Sequence, residues 1–423
     1  MRVLVWNPLI SLGGGVRLLL RLLPALARQP GVELVRLAVP EEVLARGELP
    51  RPDAPNVELV PIVAERPIRS ARDWLATDGR VLGVRGTGRL RRALRRRLLP
   101  DARPWEAERL AEAGRDCDVL YAFWPHRQRF PDVGMPVVCT IQDVTLLEFP
   151  EILGADETRR EWATTEGWLR GSRRVVVSSR STRDKLARLF GPELARATII
   201  HHAISPAVPA ADGPPRVRAG IRPRYIVYPA NTTIHKNHYA LLVAWSRFAR
   251  RHDFSLVLFG AWTDTMNLRP PAWDPHWQQA RLAALVHRLG LRPGTDFHAL
   301  GYVDDAEVTE LVRGATALIM PSLAEGGGSY PVEEALDFGV PVLCSDIPVM
   351  REHLARRSAR IGWFDPESPE AIVRALDELL GDYDAARASA VRGMHDPRPS
   401  WDDVAAEYAA VLHAAAAGEP VTG

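Results

Sequence analysis

The sequence predicts an α/β protein built from two doubly wound domains. Three observations carry this reading. Short apolar runs alternate with stretches of helical period through the first half, a proline-rich segment interrupts them at 205–224, and the alternation then restarts. Strands alternating with helices imply parallel sheets joined by right-handed crossovers.

In the first half, strands are expected at 3–6, 33–39, 58–63, 119–122, 137–141, 175–178 and 198–201. Segments 15–28, 89–99, 159–170 and 182–190 repeat apolar residues at helical spacing. The break carries Pro206, Pro209, Pro214, Pro215 and Pro223 and few large apolar residues, which marks a linker. Beyond it, strands are expected at 225–228, 255–259, 297–300, 317–320 and 342–345, and helices at 237–251, 277–289, 305–313, 329–338 and 369–380. Ser400 caps a last helix over 400–417, with Trp401, Val404, Tyr408 and Val411 at helical spacing. A terminal helix after a complete second domain needs a surface, and the first domain offers one. The expected boundaries are 1–205, a linker at 206–224, 225–399, and 400–423 for the returning helix. Ligands of such sheets sit beyond the carboxyl ends of the strands, so the cleft between the domains is the expected site.

Composition narrows the class. The 46% hydrophobic and 25% charged residues are ordinary globular values and exclude a disordered or fibrous chain. A net charge of +2 gives no case for nucleic acid. No apolar run approaches the ~18 residues of a membrane span. The opening residues Val3, Leu4, Val5 and Trp6 read as a strand followed by a loop rather than a signal peptide. Cys117, Cys139 and Cys344 lie far apart and read as buried thiols of a reducing, cytoplasmic protein. Of 54 basic residues only Lys185 and Lys236 are lysines, so each lysine is noticeable in an arginine-saturated chain.

The segment richest in chemistry follows the strand at 317–320. It runs Glu325, Gly326, Gly327, Gly328, Ser329, Tyr330, Pro331, Val332, Glu333, Glu334, and ends at Gly339-Val340-Pro341-Val342. A glycine-rich turn opening a helix presents unpaired amides, which bind phosphate. Carboxylates beside it accept from sugar hydroxyls. The pattern therefore suits a nucleotide sugar, the bland alternative being a capped helix with surface glutamates. The stretch resembles the signature of the retaining nucleotide-sugar glycosyltransferases of the GT-B fold (glycosyltransferase group 1, family 4). That signature is Glu, seven residues, Glu, then a helix and Gly-Val-Pro-Val. Glu333 lies at the literal spacing, whereas the downstream frame selects Glu334 with one extra glycine in the turn. Glu334 is preferred.

The resemblance covers nearly the whole chain and implies two Rossmann-like domains facing across a cleft, with the C-terminal helix crossing back to the first. It implies that Glu334 accepts from the donor's ribose hydroxyls, and that Glu325 with the amides of Gly326, Gly327, Gly328 and Ser329 holds the sugar and diphosphate, beside Tyr330. In Tyr228-Pro-Ala-Asn231-Thr-Thr-Ile-His-Lys236, the lysine falls where the family places a cation on the donor diphosphate, with Asn231 nearby. The arginine that many members add there is absent. Gly14 and Gly15, of Gly13-Gly14-Gly15-Val16-Arg17, resemble the first-domain glycine loop facing the donor phosphate. After the strand at 137–141 the family carries His-Asp, and here Gln142-Asp143 stands instead. Gln142 can hydrogen-bond a sugar but cannot take a proton. The family is thought to retain configuration by front-face attack, with the leaving phosphate accepting the acceptor's proton, so this loss is tolerable. Asp143 alternatively reads as a strand-end cap. His126 is a further candidate near the cleft.

The donor implied is a GDP-, UDP- or dTDP-sugar, with no cofactor and no metal. His235 and His238 lack the companions of a zinc site, and Asp116-Cys-Asp118 and Asp382-Tyr-Asp384 read as chance Asp-x-Asp matches. A dinucleotide fingerprint fails at Leu18 and lacks its acid after the second strand. A pyridoxal phosphorylase would have to use Lys185 or Lys236. Acceptors of this family bind the first domain, as glycans, lipid-linked sugars or small molecules. The helix expected from Arg89 to Leu99 stripes leucines 90, 94 and 98 among arginines. Residues 66–103 carry a surplus of nine arginines over aspartates, which suits peripheral contact with anionic lipid at the inner face of the membrane. The competing readings are a GT-B enzyme of another reaction type and a non-catalytic member that binds a sugar nucleotide or a partner enzyme.

Overall fold

The computed structural model describes residues 1–7, 14–45, 49, 54–62, 105–126, 128–203, 213–269 and 277–419. The basic helix expected at 89–99 and the first half of the linker lie outside these residues.

The first domain runs β1 (Arg2–Trp6), α1 (Gly14–Ala27), β2 (Leu34–Pro40), α2 (Glu41–Ala45), β3 (Val57–Ile62), α3 (Trp105–Ala113), β4 (Val119–Phe123), β5 (Val137–Ile141), α4 (Thr145–Glu148), α5 (Ala155–Gly171), β6 (Arg174–Val177), α6 (Arg180–Phe190) and β7 (Ala197–Ile199). Its strands form one parallel sheet in the order β3-β2-β1-β4-β5-β6-β7. Every residue of β4 and β5 is buried, as expected of parallel strands covered on both faces.

The second domain continues with β8 (Tyr225–Pro229), α7 (His238–Arg247), β9 (Ser255–Phe259), α8 (Trp277–Arg288), β10 (Phe297–Ala299), α9 (Asp305–Arg313), β11 (Ala317–Met320), α10 (Tyr330–Asp337), β12 (Val342–Ser345), α11 (Pro348–His353), β13 (Ile361–Phe364), α12 (Pro369–Gly381) and α13 (Tyr383–Gly393). The parallel sheet order is β10-β9-β8-β11-β12-β13. The doubly wound α/β class predicted above is thus the one observed. Each sheet reverses its strand order once, between β1 and β4 and between β8 and β11. Those reversals are where open α/β sheets bind ligands.

The last helix, α14 (Trp401–Ala416), starts with a capping box between Ser400 and Asp403. It returns to the first domain, where Val404, Tyr408 and Leu412 share a core with Leu19, Leu22 and Leu26 of α1. The Tyr408 hydroxyl is 3.3 Å from Thr140 Oγ1, and its ring centroid lies 5.4 Å from that of Tyr121.

Several elements differ from the sequence reading. β13 was not expected because its four residues include a glycine and it forms a half-exposed sheet edge. The short helices α2, α4 and α11 span at most six residues, too few to show a period. The helix expected to reach residue 251 stops at Arg247, and a 3₁₀ turn follows at Arg251–Asp253. Cys139 and Cys344 are buried thiols, whereas Cys117 is only partly buried beside Arg36. The two Asp-x-Asp matches are spent on structure: Asp116 pairs with Arg2 and Arg36, Asp118 accepts from the Arg2 amide, and Asp382 pairs with Arg360.

Candidate active site

A cleft of about 930 Å³ opens between the two sheets. Its walls include the segments that leave β4, β8 and β11, which flank the two reversals, and the segment that leaves the neighbouring β5. Lys236, Glu325, Asp143, Gln142, Asn231, Gly327, Gly328, Ser329, Tyr330 and Glu334 all line it. Gly14 and Gly15 open α1, whose Arg17, Leu18 and Leu20 reach the same cleft.

The segment after β8 is a built turn. Asn231 Oδ1 accepts from the Thr233 amide at 3.1 Å, so a ligand would meet its amide nitrogen. Asn237 stands at φ 57°, a left-handed conformation that asparagine tolerates, and its side chain caps α7 by accepting from the Ala240 amide. Its amide nitrogen donates to the carbonyls of Pro321 and Pro366. The Lys236 carbonyl accepts from Tyr228, and the His235 carbonyl accepts from the Leu323 amide at 2.7 Å. The two loops are thereby locked together, and Lys236 Nζ lands 2.6 Å from Glu325 Oε1. Burial, then the Lys236 charge, pushes His235 and His238 down to about 4 and about 3, so both rings are neutral near pH 7. Among the described residues no group of three or more His, Cys, Asp or Glu is placed to hold a metal ion.

After β11, Ser329 is the N-cap of α10 but its hydroxyl makes no capping bond, and Pro331 sits in the first turn. The helix therefore points uncapped first-turn amides at the cleft. The neighbouring glutamates, about 100° apart around the helix, face different partners. Glu334 lines the cleft, with its Oε1 3.6 Å from Arg17 Nη1 across the domain boundary. Glu333 is taken up by Arg357 and lies 3.0 Å from His353 Nε2. Burial pushes Glu333 up, but His353 and Arg357 outweigh it and hold the carboxyl below its usual range.

The three glycines have a role that the sequence does not disclose. A Cβ on Gly326 would sit 2.4 Å from the Gln142 carbonyl oxygen, and one on Gly327 would sit 2.4 Å from Ser178 Cβ. Both clashes are with the first domain. Gly328, at φ +123°, occupies a conformation that side chains rarely adopt and packs on His353. The loop is thus glycine-rich where the other domain closes on it. Ser179 and Thr182 donate their hydroxyls to the Gly326 carbonyl at 2.7 and 3.2 Å. Glu352 of α11 accepts from the amides of Arg180 and Ser181 at the start of α6, and its Oε1 is 2.9 Å from His201 Nε2. Burial raises Glu352, yet these contacts bring it below its usual value.

On the first-domain wall, Asp143 Oδ1 accepts from the Thr145 amide at 2.9 Å, which fulfils the strand-end capping alternative while the residue still faces the cleft. Gln142 Oε1 lies 2.8 Å from His202 Nε2. His126 lines the cleft, with Nδ1 2.8 Å from the buried Glu161. Arg17, His202 and Tyr302, which is 69% exposed in the cleft, were not singled out from the sequence. Arg17 is one arginine among many, and its partners Asp305 and Glu334 are some 300 positions away.

Comparison with known proteins bears on the family and the fold. Residues 216–393 match the family described as glycosyl transferases group 1. The chain is 27% identical over 318 residues to the O-antigen chain mannosyltransferase B of Escherichia coli, covering 70% of this chain and 77% of that protein. It is 29% identical over 266 residues to the glycogen synthase of Mycobacterium tuberculosis, covering 62% of this chain and 59% of the relative. Among solved structures it superposes on Anabaena HepE in complex with UDP and glucose, with a TM-score of 0.58, 14% identity and coverage of 99% and 97% of the two chains. Sucrose-phosphate synthase from Thermosynechococcus elongatus superposes with the same TM-score, identity and coverage. At such identity the structural likeness establishes the fold, which is GT-B.

Proposed function

We propose that the protein is a retaining, metal-independent glycosyltransferase, because residues 216–393 match the group 1 glycosyl transferases and the whole chain takes the GT-B fold. It moves a hexosyl group of mannosyl or glucosyl type from a nucleotide diphosphate sugar to a glycan, lipid-linked or small-molecule acceptor. The observation that supports this most is the convergence of Lys236, Glu325, Glu334 and the open amino end of α10 on one cleft. The related mannosyltransferase and the UDP-bound structural neighbour are consistent with such a donor.

Each group has a role in this reading. The first-turn amides of α10 take the diphosphate, whose charge is favourable at a helix amino terminus. Lys236 neutralises the charge that builds on the departing diphosphate, an interaction stronger in the transition state than before it. Glu334 accepts from the ribose hydroxyls and Glu325 from the transferred sugar. Asn231, Gly327, Gly328, Ser329 and Tyr330 complete the donor seat. Gly14 and Gly15 bring the start of α1 to the other side of it, and the exposed Tyr302 ring offers a face for the base. Gln142 and Asp143 face the reacting sugar from the first domain, where the acceptor enters. Because Gln142 cannot take a proton, the acceptor's proton passes to the leaving phosphate as the front-face bond forms.

The test is to incubate the protein with GDP-mannose, UDP-glucose and dTDP-glucose, with and without EDTA, and to measure nucleoside diphosphate release and the anomeric configuration of the product. Release that survives EDTA, with retained configuration, is the expected result. An inverted product or dependence on a divalent ion contradicts the mechanism, and absence of release from every donor contradicts the enzyme.

A further inference from the structure

We propose that His202 is a positioning residue. Its Nε2–H donates to Gln142 Oε1 and so fixes the Gln142 amide with its NH₂ group turned to the bound donor.

Gln142 is only 6% exposed and lines the cleft at the end of β5. Its Oε1 is taken by His202 at 2.8 Å, while its Nε2 is buried without a hydrogen-bond partner. A buried unpaired amide nitrogen is costly, so an amide that lines the cleft in that state points to a ligand oxygen that completes it. The backbone is equally fixed, because Ser178 Oγ donates to the Gln142 carbonyl at 2.8 Å. His202 is itself braced by the donor loop: a Cβ on Gly327 would come within 3.0 Å of its Cδ2. Burial, with His353 and His201 nearby, pushes His202 down to about 3, so the ring is neutral near pH 7 and carries one N–H.

The choice of tautomer decides what Gln142 offers. With the proton on Nε2, the ring can only donate toward Gln142, the amide oxygen faces His202, and the NH₂ faces the cleft. With the proton on Nδ1, the ring accepts, the amide turns over, and a carbonyl faces the cleft. A diphosphate or a glycosyl oxygen needs a donor at that place, which selects the first arrangement. The ring-and-amide pair thereby supplies a neutral hydrogen-bond donor to the cleft. The identity of the ligand and the choice of tautomer rest on the glycosyltransferase reading, whereas the contact between His202 and Gln142 does not.

Two measurements test this on the full chain. Nitrogen-15 NMR of histidine-labelled protein is expected to show His202 as the neutral Nε2–H tautomer at pH 7, with its signal shifted in Gln142→Ala. The Nδ1–H tautomer or a protonated ring overturns the proposal. In turnover, Gln142→Ala is expected to lower kcat about a hundredfold, as for loss of one transition-state donor. His202→Ala should lower it about tenfold, the double variant no further than Gln142→Ala alone, and His202→Gln should recover most of the loss. Additive losses, or no recovery in His202→Gln, overturn it. If the wild type turns over no sugar nucleotide, the glycosyltransferase reading fails and the tautomer alone decides the role of His202.

Discussion

Lys236 Nζ lies 2.6 Å from Glu325 Oε1, joining the loop that leaves β8 to the loop that leaves β11 across the floor of the cleft. Both side chains are mostly buried, at 20% and 12% exposure. The glutamate holds the lysine facing the cleft. In the proposed reaction donor binding exchanges one anion for another, and the freed carboxylate meets the sugar.

Glu325→Gln separates those two roles. Turnover should fall about a hundredfold, because a carboxylate that meets the sugar in the transition state is lost. Nucleoside diphosphate, which has no sugar for Glu325 to hold, should bind as well as before or more tightly, because the lysine loses its competitor. Calorimetry with the diphosphate beside initial rates checks this, and loss of diphosphate affinity would contradict it.

The neighbours Glu333 and Glu334 should respond in opposite ways. Glu334→Gln is expected to weaken donor binding by about tenfold to a hundredfold, the value of a hydrogen bond to a charged group, with little change in thermal stability. Glu333→Gln should leave donor binding nearly intact but destabilise the fold by about 1.5–3 kcal/mol, because Arg357 loses one of its two buried acidic partners and keeps Asp337. Urea denaturation and donor titration of both variants decide this.

Gly326→Ala places a methyl group where the Gln142 carbonyl now sits. The domains should fold normally but fail to close. Small-angle scattering is expected to show a larger radius of gyration, and turnover should fall while the melting temperature holds. An unchanged radius with full activity would show that the loop yields.

Stability should fall with acid in the range where buried histidines resist protonation. His238 is 1% exposed, packs 4.9 Å from the Tyr228 ring, and is pushed down to about 3 by burial and by Lys236. Its native pKa is depressed, so the unfolded chain binds a proton first. Stability is full above the ordinary value of 6.5 and is lost as pH falls toward 3. This residue alone contributes a slope of about 1.4 kcal/mol per pH unit there. His238→Phe should flatten the unfolding free energy between pH 6 and pH 5 by roughly that amount, measured by urea denaturation. An unchanged slope would place the proton uptake elsewhere.

Much of this site was legible in the chain because its chemistry is concentrated in two short segments. Lys236 stands out where nearly every other cation is an arginine, and the frame set by Gly339 and Pro341 selects Glu334 over Glu333. The helix phase then gives the physical reason, since only one of two successive residues can face the cleft. Arg17 was not legible, because its partners Asp305 and Glu334 are brought close only by the arrangement of the two domains, and His202 was not, because its partner Gln142 lies 60 positions earlier at the end of another strand. The glycines were legible as a turn that opens a helix, but their contact with the first domain was not, since Gln142 and Ser178 lie well over a hundred positions earlier. The fold was easier to read, because buried parallel strands announce themselves as apolar runs. It failed at β13, at the helices α3 and α13, and at helices too short to show a period.

The central claim is a nucleotide-diphosphate seat built on Lys236, and one measurement meets it directly. GDP, UDP, dTDP and ADP, with their common sugar conjugates, are added to wild type and to Lys236→Ala while thermal unfolding is followed, with and without EDTA. A ligand that binds only the folded chain raises its melting temperature by mass action. The account predicts a rise with one nucleotide series, unchanged by EDTA and reduced in Lys236→Ala. No rise with any nucleotide, or an equal rise in the variant, would contradict it.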